Sequence, residues 1–110
     1  MDQSENASLE GFEASLRMDQ APPGLSAPLR ALWWVGRGDW QAAHDEVEAE
    51  ASRDAAWVHA HLHRREGDLG NAGYWYRRAG RDPVEDDLDG EWRSMVEALI
   101  IKRMEERSGE

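Results

Sequence analysis

The sequence predicts an all-α fold organised as one domain. Apolar residues recur at spacings of three and four positions, as on one face of a helix. Ser or Asp precedes several of these stretches, where a helix cap is expected, and Gly or Pro follows them. A chain of 110 residues is long enough for one modest core. We expect this domain to span residues 8–107, with disordered tails at 1–7 and 108–110.

Six helices are predicted from these signals. The first begins at about Leu9 and is ended by Pro22-Pro23-Gly24. The others cover about residues 27–36, 40–52, 55–66, 69–79 and 91–107. The predicted N-terminal caps of the four middle helices are Ser26, Asp39, Asp54 and Asp68.

The composition excludes several classes of function. The chain has no cysteine, which removes disulfides, thiolate nucleophiles and cysteine-ligated metals. Its N-terminal segment is acidic and lacks the pattern of a secretory signal, and no apolar run reaches the ~20 residues that span a bilayer. We therefore expect a cytoplasmic protein without a membrane partner.

Charge is distributed unevenly along the chain. The net charge of −10 should repel nucleic acids, so none is expected as a partner. Residues 53–81 depart from this average, with six cations against three acidic side chains, whereas both flanking parts are acidic. A basic middle between acidic ends is compatible with binding an acidic peptide or the acidic end of a second copy of the chain.

An internal repeat has a period of 29 residues. It aligns Gly38-Asp39-Trp40 with Gly67-Asp68-Leu69, and each copy lies between two predicted helices. The Gly can turn the chain, the Asp can cap the second helix, and the large residue after it is expected to fill the hairpin.

The second copy resembles a tetratricopeptide repeat over Ala60, Gly67, Asp68, Leu69, Ala72, Tyr76, Ala79 and Pro83. The first copy matches less fully, and the resemblance covers about residues 28–83 with a period shorter than the family's ~34 residues. It implies two tetratricopeptide-like helical hairpins, flanked by an N-terminal helix and a longer C-terminal capping helix. It also implies a non-catalytic scaffold that binds a protein or peptide.

Consecutive aromatic and basic residues supply the candidates for partner binding. Three adjacent aromatic side chains on one helix point in three directions, so at least one of them should reach the surface, where aromatics are enriched at interfaces. The candidates are Trp33, Trp34, Tyr74, Trp75, Arg77 and Arg78. The partner is either another protein or a second copy of the chain, as a homodimer.

Three histidines at alternate positions offer an alternative function. His59 and His63 share one helical face, and Glu66 follows, so this set could serve a metal-binding or metal-dependent hydrolytic protein. The favoured interpretation is that His59 and His63 are packing residues and that His61 points elsewhere. We accordingly expect no enzyme activity, metal or cofactor. His44 and Asp45 are adjacent on a helix, point apart and form no catalytic pair.

Overall fold

The computed structural model describes residues 8–108 and places six α-helices there, which confirms the all-α prediction. The helices are α1 (Leu9–Ser15), α2 (Ala27–Gly36), α3 (Trp40–Glu48), α4 (Arg53–Arg65), α5 (Leu69–Ala79) and α6 (Leu88–Ser108). This described part of the chain contains no strand. None of its helices is both long and apolar enough to cross a membrane. The tail predicted for residues 1–7 lies outside the described residues, as do positions 109 and 110.

Side-chain caps begin most of the helices. The side chains of Ser8, Ser26, Asp39, Ser52 and Asp68 each accept a hydrogen bond from a backbone amide in the first turn of α1 to α5. The predicted cap at Asp54 is wrong, because Ser52 accepts from the amide of Ala55 at 3.0 Å and leaves Asp54 inside the first turn. Other predicted bounds also shift: α1 ends at Ser15, well before Pro22, α3 ends at Glu48, α4 begins at Arg53 and α6 begins at Leu88.

Two equivalent turns join α2 to α3 and α4 to α5. Gly38 and Gly67 have φ angles of +84° and +87°, which only glycine adopts readily. The amides of Asp39 and Asp68 each donate to the carbonyl five positions earlier at 2.9 Å. Their side chains accept from the amides three positions later, at 3.0 and 3.1 Å. The 29-residue repeat is therefore a repeated hairpin turn.

The core lies between the two hairpins and α6. α4 packs most extensively on α5, and α2 packs on α3, while α6 crosses α4 and α2 and contacts α1. Trp33 and Tyr76 are the bulkiest of the fully buried side chains. Trp92 of α6 donates its indole N–H to the carbonyl of Leu32 at 2.8 Å, and the ring of Phe12 lies 5.9 Å from its own. The first and last helices thus cover surfaces that the hairpins alone would expose.

One predicted packing role differs between the two repeats. Trp40 packs toward the next hairpin, where its indole N–H donates to the carbonyl of Leu62 at 2.8 Å. The aligned Leu69 was expected to fill its hairpin in the same way, but 69% of it is exposed. The reason is that no third hairpin follows α5 in the described residues, and α6 packs mainly on α4 and α2, so nothing equivalent to the second hairpin covers Leu69.

Candidate functional site

The four histidines of the chain belong to two separate groups. His44 of α3 meets His59 and His63 of α4, and we call these three residues the histidine cluster. His61, also on α4, points away from them and contacts Glu91 of α6. All three histidines of α4 are buried, although only two of them share a face.

The histidine cluster brings three imidazole rings together. One ring nitrogen from each residue lies within 4.8 Å of the other two. The shortest contact joins Nε2 of His44 to Nε2 of His59 at 3.0 Å. His59 and His63 are stacked with centroids 5.1 Å apart, as their spacing of four residues on one helix requires.

Hydrogen bonds orient the cluster unequally. Nδ1 of His63 lies 2.7 Å from a carboxylate oxygen of Glu66, so Nδ1 is the donor to Glu66, and in the neutral ring the lone pair is on Nε2. Nδ1 of His44 is buried and has no hydrogen-bond partner among the described residues. The nearest carboxylate oxygen to it, from Glu48, is 3.7 Å away.

Aromatic rings form the walls of the cluster. Trp40 stacks on His44 with centroids 4.9 Å apart, and Trp75 stacks on His59 at 3.9 Å. Both pairs are close to parallel, with interplanar angles of 13° and 11°. Each indole therefore covers one flat face of the imidazole on which it stacks.

Burial controls the charge of His59 within the cluster. Burial, together with repulsion from the neighbouring His44 and His63, lowers the pKa of His59 to about 4. His59 is therefore neutral at neutral pH and offers a lone pair to a proton donor or a cation.

The alternative metal set of His59, His63 and Glu66 is thus rearranged in the structure. Glu66 is engaged with Nδ1 of His63, and the third group that converges on the two histidines is His44. The sequence did contain a signal for His44. Trp40, Ala43 and Val47 define the inward face of α3, and His44 falls on the same face.

The second group is a buried carboxylate network centred on Glu91. One oxygen of Glu91 lies 2.7 Å from Nδ1 of His61 and accepts a bond from Arg64 at 2.7 Å. The other oxygen accepts from the hydroxyl of Tyr76. Nε2 of His61 accepts from Arg65 at 2.7 Å, so every polar atom of the His61 ring is paired.

The pKa shifts in this network follow from burial and hydrogen bonding. Burial alone would raise the pKa of Glu91, but the bonds from His61, Tyr76 and Arg64 outweigh it and hold that pKa below its ordinary value. Burial lowers the pKa of His61 in spite of the carboxylate beside it. Burial raises the pKa of Tyr76, and its bond to Glu91 adds to this. The network therefore holds one carboxylate charge beside neutral His61 and Tyr76.

The partner-binding candidates occupy different environments. Trp33 is fully buried, and its indole N–H donates to Ser15, so it belongs to the core and presents no surface to a partner. Trp34 is half-buried against it. The remaining candidates, Tyr74, Trp75, Arg77 and Arg78, lie on α5, where all but the half-buried Trp75 are exposed.

Arginine and aromatic side chains alternate on the surface of α5 and at its C-terminal end. The guanidinium of Arg78 lies 5.8 Å from the ring centroid of Tyr74 and 5.4 Å from that of Trp75. Arg81 lies 3.5 Å above the ring of Trp57. A groove of about 220 Å³ separates Trp75 and Arg78 from the loop between α3 and α4.

Comparisons with known proteins do not assign this chain to a family. Scans of protein-family models, of curated proteins and of solved structures find no match. Function therefore has to be inferred from the histidine cluster, the buried carboxylate network and the surface of α5.

Proposed function

We propose that this chain is a non-catalytic protein-interaction module of tetratricopeptide-like form that binds an acidic segment of another protein. The single observation that carries the proposal is a set of arginines without carboxylate partners at one end of the α4–α5 hairpin. We call this surface the arginine–aromatic face, and it consists of Arg53, Tyr74, Trp75, Arg77, Arg78 and Arg81.

The arginines of this face lie together at one end of the hairpin, whereas Arg17, Arg37, Arg93 and Arg103, which also form no ion pair in the described part of the chain, lie outside it. Arg30, Arg64 and Arg65 each form an ion pair with an acidic side chain. The four arginines of the face form no ion pair with the side chains of residues 8–106, although the chain has 23 acidic residues and only 13 Lys and Arg. Their charges are therefore available to an acidic ligand.

Aromatic rings hold two of these arginines in place. Arg78 and Arg81 lie over aromatic rings, and Arg78 donates one bond to the hydroxyl of Tyr74 at 3.3 Å, which leaves further in-plane N–H donors of both guanidinium groups for a ligand. Those donors match a carboxylate in two parallel hydrogen bonds, and ordering them in advance reduces the entropy lost on binding. Tyr74, which is 44% exposed, adds an apolar surface beside them.

The repeat architecture supports a binding role. Two hairpins with equivalent turns, offset by 29 residues, agree with the tetratricopeptide resemblance of residues 28–83. Stacked helical hairpins of this kind leave continuous surfaces for extended peptides. Glu48 and Glu50 line the opposite side of the groove, so we expect acidic residues of the ligand to contact the α5 side.

The test uses the full chain and two labelled peptides of equal length, one alternating Glu with Leu and the other Lys with Leu. Fluorescence anisotropy should show saturable binding of the acidic peptide only, weakening as salt screens the charges. Reversal of charge in Arg77→Glu/Arg78→Glu should weaken it at least about tenfold. The matched control is Arg17→Glu/Arg93→Glu, which changes net charge equally at exposed arginines outside the face.

Two further measurements make the result decisive. Circular dichroism checks that the reversed variant folds, and Arg77→Gln/Arg78→Gln provides a milder change if it does not. Equal binding by the α5 variants and the control would contradict the proposal. Light scattering decides the identity of the partner: a dimer that only the α5 variants dissociate would replace the acidic peptide with a second copy of this chain.

A further inference from the structure

We propose that His44, His59 and His63 bind one Zn²⁺ ion through three imidazole nitrogens, with water as the fourth ligand. This site is separate from the arginine–aromatic face and does not depend on the function proposed for that face. The proposal rests on the convergence of the three nitrogens, the hydrogen bonding around them and an unpaired buried nitrogen.

The spacing of the nitrogens suits a tetrahedral ion. Zn–N bonds of 2.0–2.1 Å place two ligands of a tetrahedral site about 3.3 Å apart. Nε2 of His44 and Nε2 of His59 are 3.0 Å apart, and one ring nitrogen of each of the three histidines lies within 4.8 Å of the other two. Changes in the side-chain torsion angles that adjust these separations to about 3.3 Å would bring all three nitrogens to coordination distance.

The nitrogens that face away from the centre of the cluster have the kind of hydrogen-bond partner that is found in metal sites. Histidines that bind a metal usually donate their other N–H to a carboxylate, which fixes the tautomer and aims the lone pair. Glu66 does this for His63 at 2.7 Å. Glu48, an exposed side chain 3.7 Å from Nδ1 of His44, reaches the same arrangement by a small movement.

Packing alone leaves the cluster incompletely paired. The contact between Nε2 of His44 and Nε2 of His59 uses one proton, so one ring donates and the other accepts. In either arrangement Nδ1 of His44 stays buried without a hydrogen-bond partner in residues 8–108. A metal ion between the two Nε2 atoms would require both Nδ1 atoms to be protonated, and Glu48 would then be the acceptor for His44.

Charge around the cluster favours a cation. Carboxylates flank it on both sides, with Asp45 and Glu48 next to His44, and Glu66 and Asp68 next to His63. They offset the charge of a dication bound by three neutral ligands and raise its local concentration. Imidazole ligands favour Zn²⁺ over Ca²⁺ or Mg²⁺, which prefer oxygen.

The experiment titrates the full chain, without a polyhistidine tag and after removal of metal with EDTA, with ZnCl₂ in a calorimeter. We expect one ion per chain and a rise in Tm of about 10 °C at a hundredfold excess over Kd. Co²⁺ should give the intense visible absorption of a tetrahedral site. Emission of Trp40 and Trp75 should change, because both indoles stack on ligands.

Variants locate the ion. His44→Gln and His63→Gln should each abolish the Co²⁺ absorption and weaken Zn²⁺ binding at least about tenfold. Glu66→Gln keeps all three ligands and should weaken binding about 10- to 100-fold, since it removes only the orientation of His63. Gln41→Ala, one turn before His44 on the exposed side of α3, is the matched control and should bind as the unaltered chain does.

Two results would overturn the proposal. One is the absence of saturable heat and of any Tm shift with Zn²⁺. The other is binding that is unchanged in both histidine variants, which would place the ion on surface carboxylates. If a histidine variant fails to fold, Glu66→Gln and the Co²⁺ spectrum of the unaltered chain still decide between these outcomes.

Discussion

The histidine cluster and the buried carboxylate network lie on different faces of α4, and they differ in how completely their polar atoms are paired. In the network, both nitrogens of His61 and both oxygens of Glu91 have partners. In the cluster, Nδ1 of His44 has none among the described residues. A fully paired network stabilises one arrangement of the helices. An incompletely paired cluster can still bind a further group, such as a metal ion.

We expect Glu91→Ala to lower the free energy of unfolding more than any other substitution considered for these two groups. It removes the shared acceptor of His61, Arg64 and Tyr76 and leaves their donors in a buried site, at a cost of about 3–5 kcal/mol in the free energy of unfolding. Urea denaturation followed by circular dichroism measures this. Glu97→Ala, at an exposed position of the same helix, should change stability by less than about 0.5 kcal/mol. Similar losses in the two variants would contradict a structural role for the network.

As the pH falls, the protein should lose the stability that neutral His59 contributes before it loses the stability that Glu91 contributes. The pKa of His59 falls from 6.5 to about 4 on folding, so its contribution to stability is complete above pH 6.5 and is lost as pH falls toward 4. At about 1.4 kcal/mol per pH unit, the loss reaches up to about 3 kcal/mol. Glu91 has a pKa below 4.5, so it loses its contribution only at lower pH.

Stability measured against pH in EDTA checks this order. His61 also has a lowered pKa, so the unaltered chain combines both groups in this window. His59→Gln isolates the cluster, because it removes the titration of His59 and leaves His61 in place. A pH profile that is identical in His59→Gln and the unaltered chain would show that His59 does not titrate as its burial requires.

Tyr76→Phe sharpens the comparison with a smaller change. The ring is kept and only the hydroxyl that donates to Glu91 is lost, so we expect a cost of about 1.5–3 kcal/mol, as for hydrogen bonds to charged groups. Urea denaturation at neutral pH measures it. In the double variant Tyr76→Phe/Glu91→Ala, the losses should be less than additive because the two residues share a bond. Strict additivity would contradict the coupling.

The smallest effect is expected from His44→Gln in metal-free protein. Glutamine favours helix formation and its amide can donate to His59, while the Nδ1 atom that is lost had no partner in residues 8–108. We expect a loss below about 1 kcal/mol by thermal denaturation in EDTA. A loss as large as that of Glu91→Ala would mean that the cluster is primarily structural.

Local signals in the sequence predicted most of the fold. The repeated Gly-Asp pairs predicted both hairpin turns because their hydrogen bonds span only five residues. Ser26 caps α2, as predicted. For α4 the same type of signal predicted Asp54, whereas the cap is Ser52, two positions earlier. Both residues are good caps, and the local pattern does not distinguish them.

The candidate sites were less accessible to prediction. The helical spacing predicts that His59 and His63 lie side by side. The apolar pattern of α3 likewise indicates that His44 lies on the inner face of that helix. Glu91 is different, since it meets His61 across 30 residues of sequence. Its burial depends on where α6 crosses α4, and no local pattern in an acidic segment specifies that crossing.

The position of α6 has a consequence for how the chain folds. Each hairpin is closed by contacts between neighbouring segments, so both can form early and quickly. α6 contacts α4, α2 and α1, which precede it in the chain. Glu91 therefore reaches His61 only when α6 packs on these helices. We therefore expect docking of α6 to be the step that brings Glu91 to Arg64 and Tyr76 and replaces the water around their polar groups.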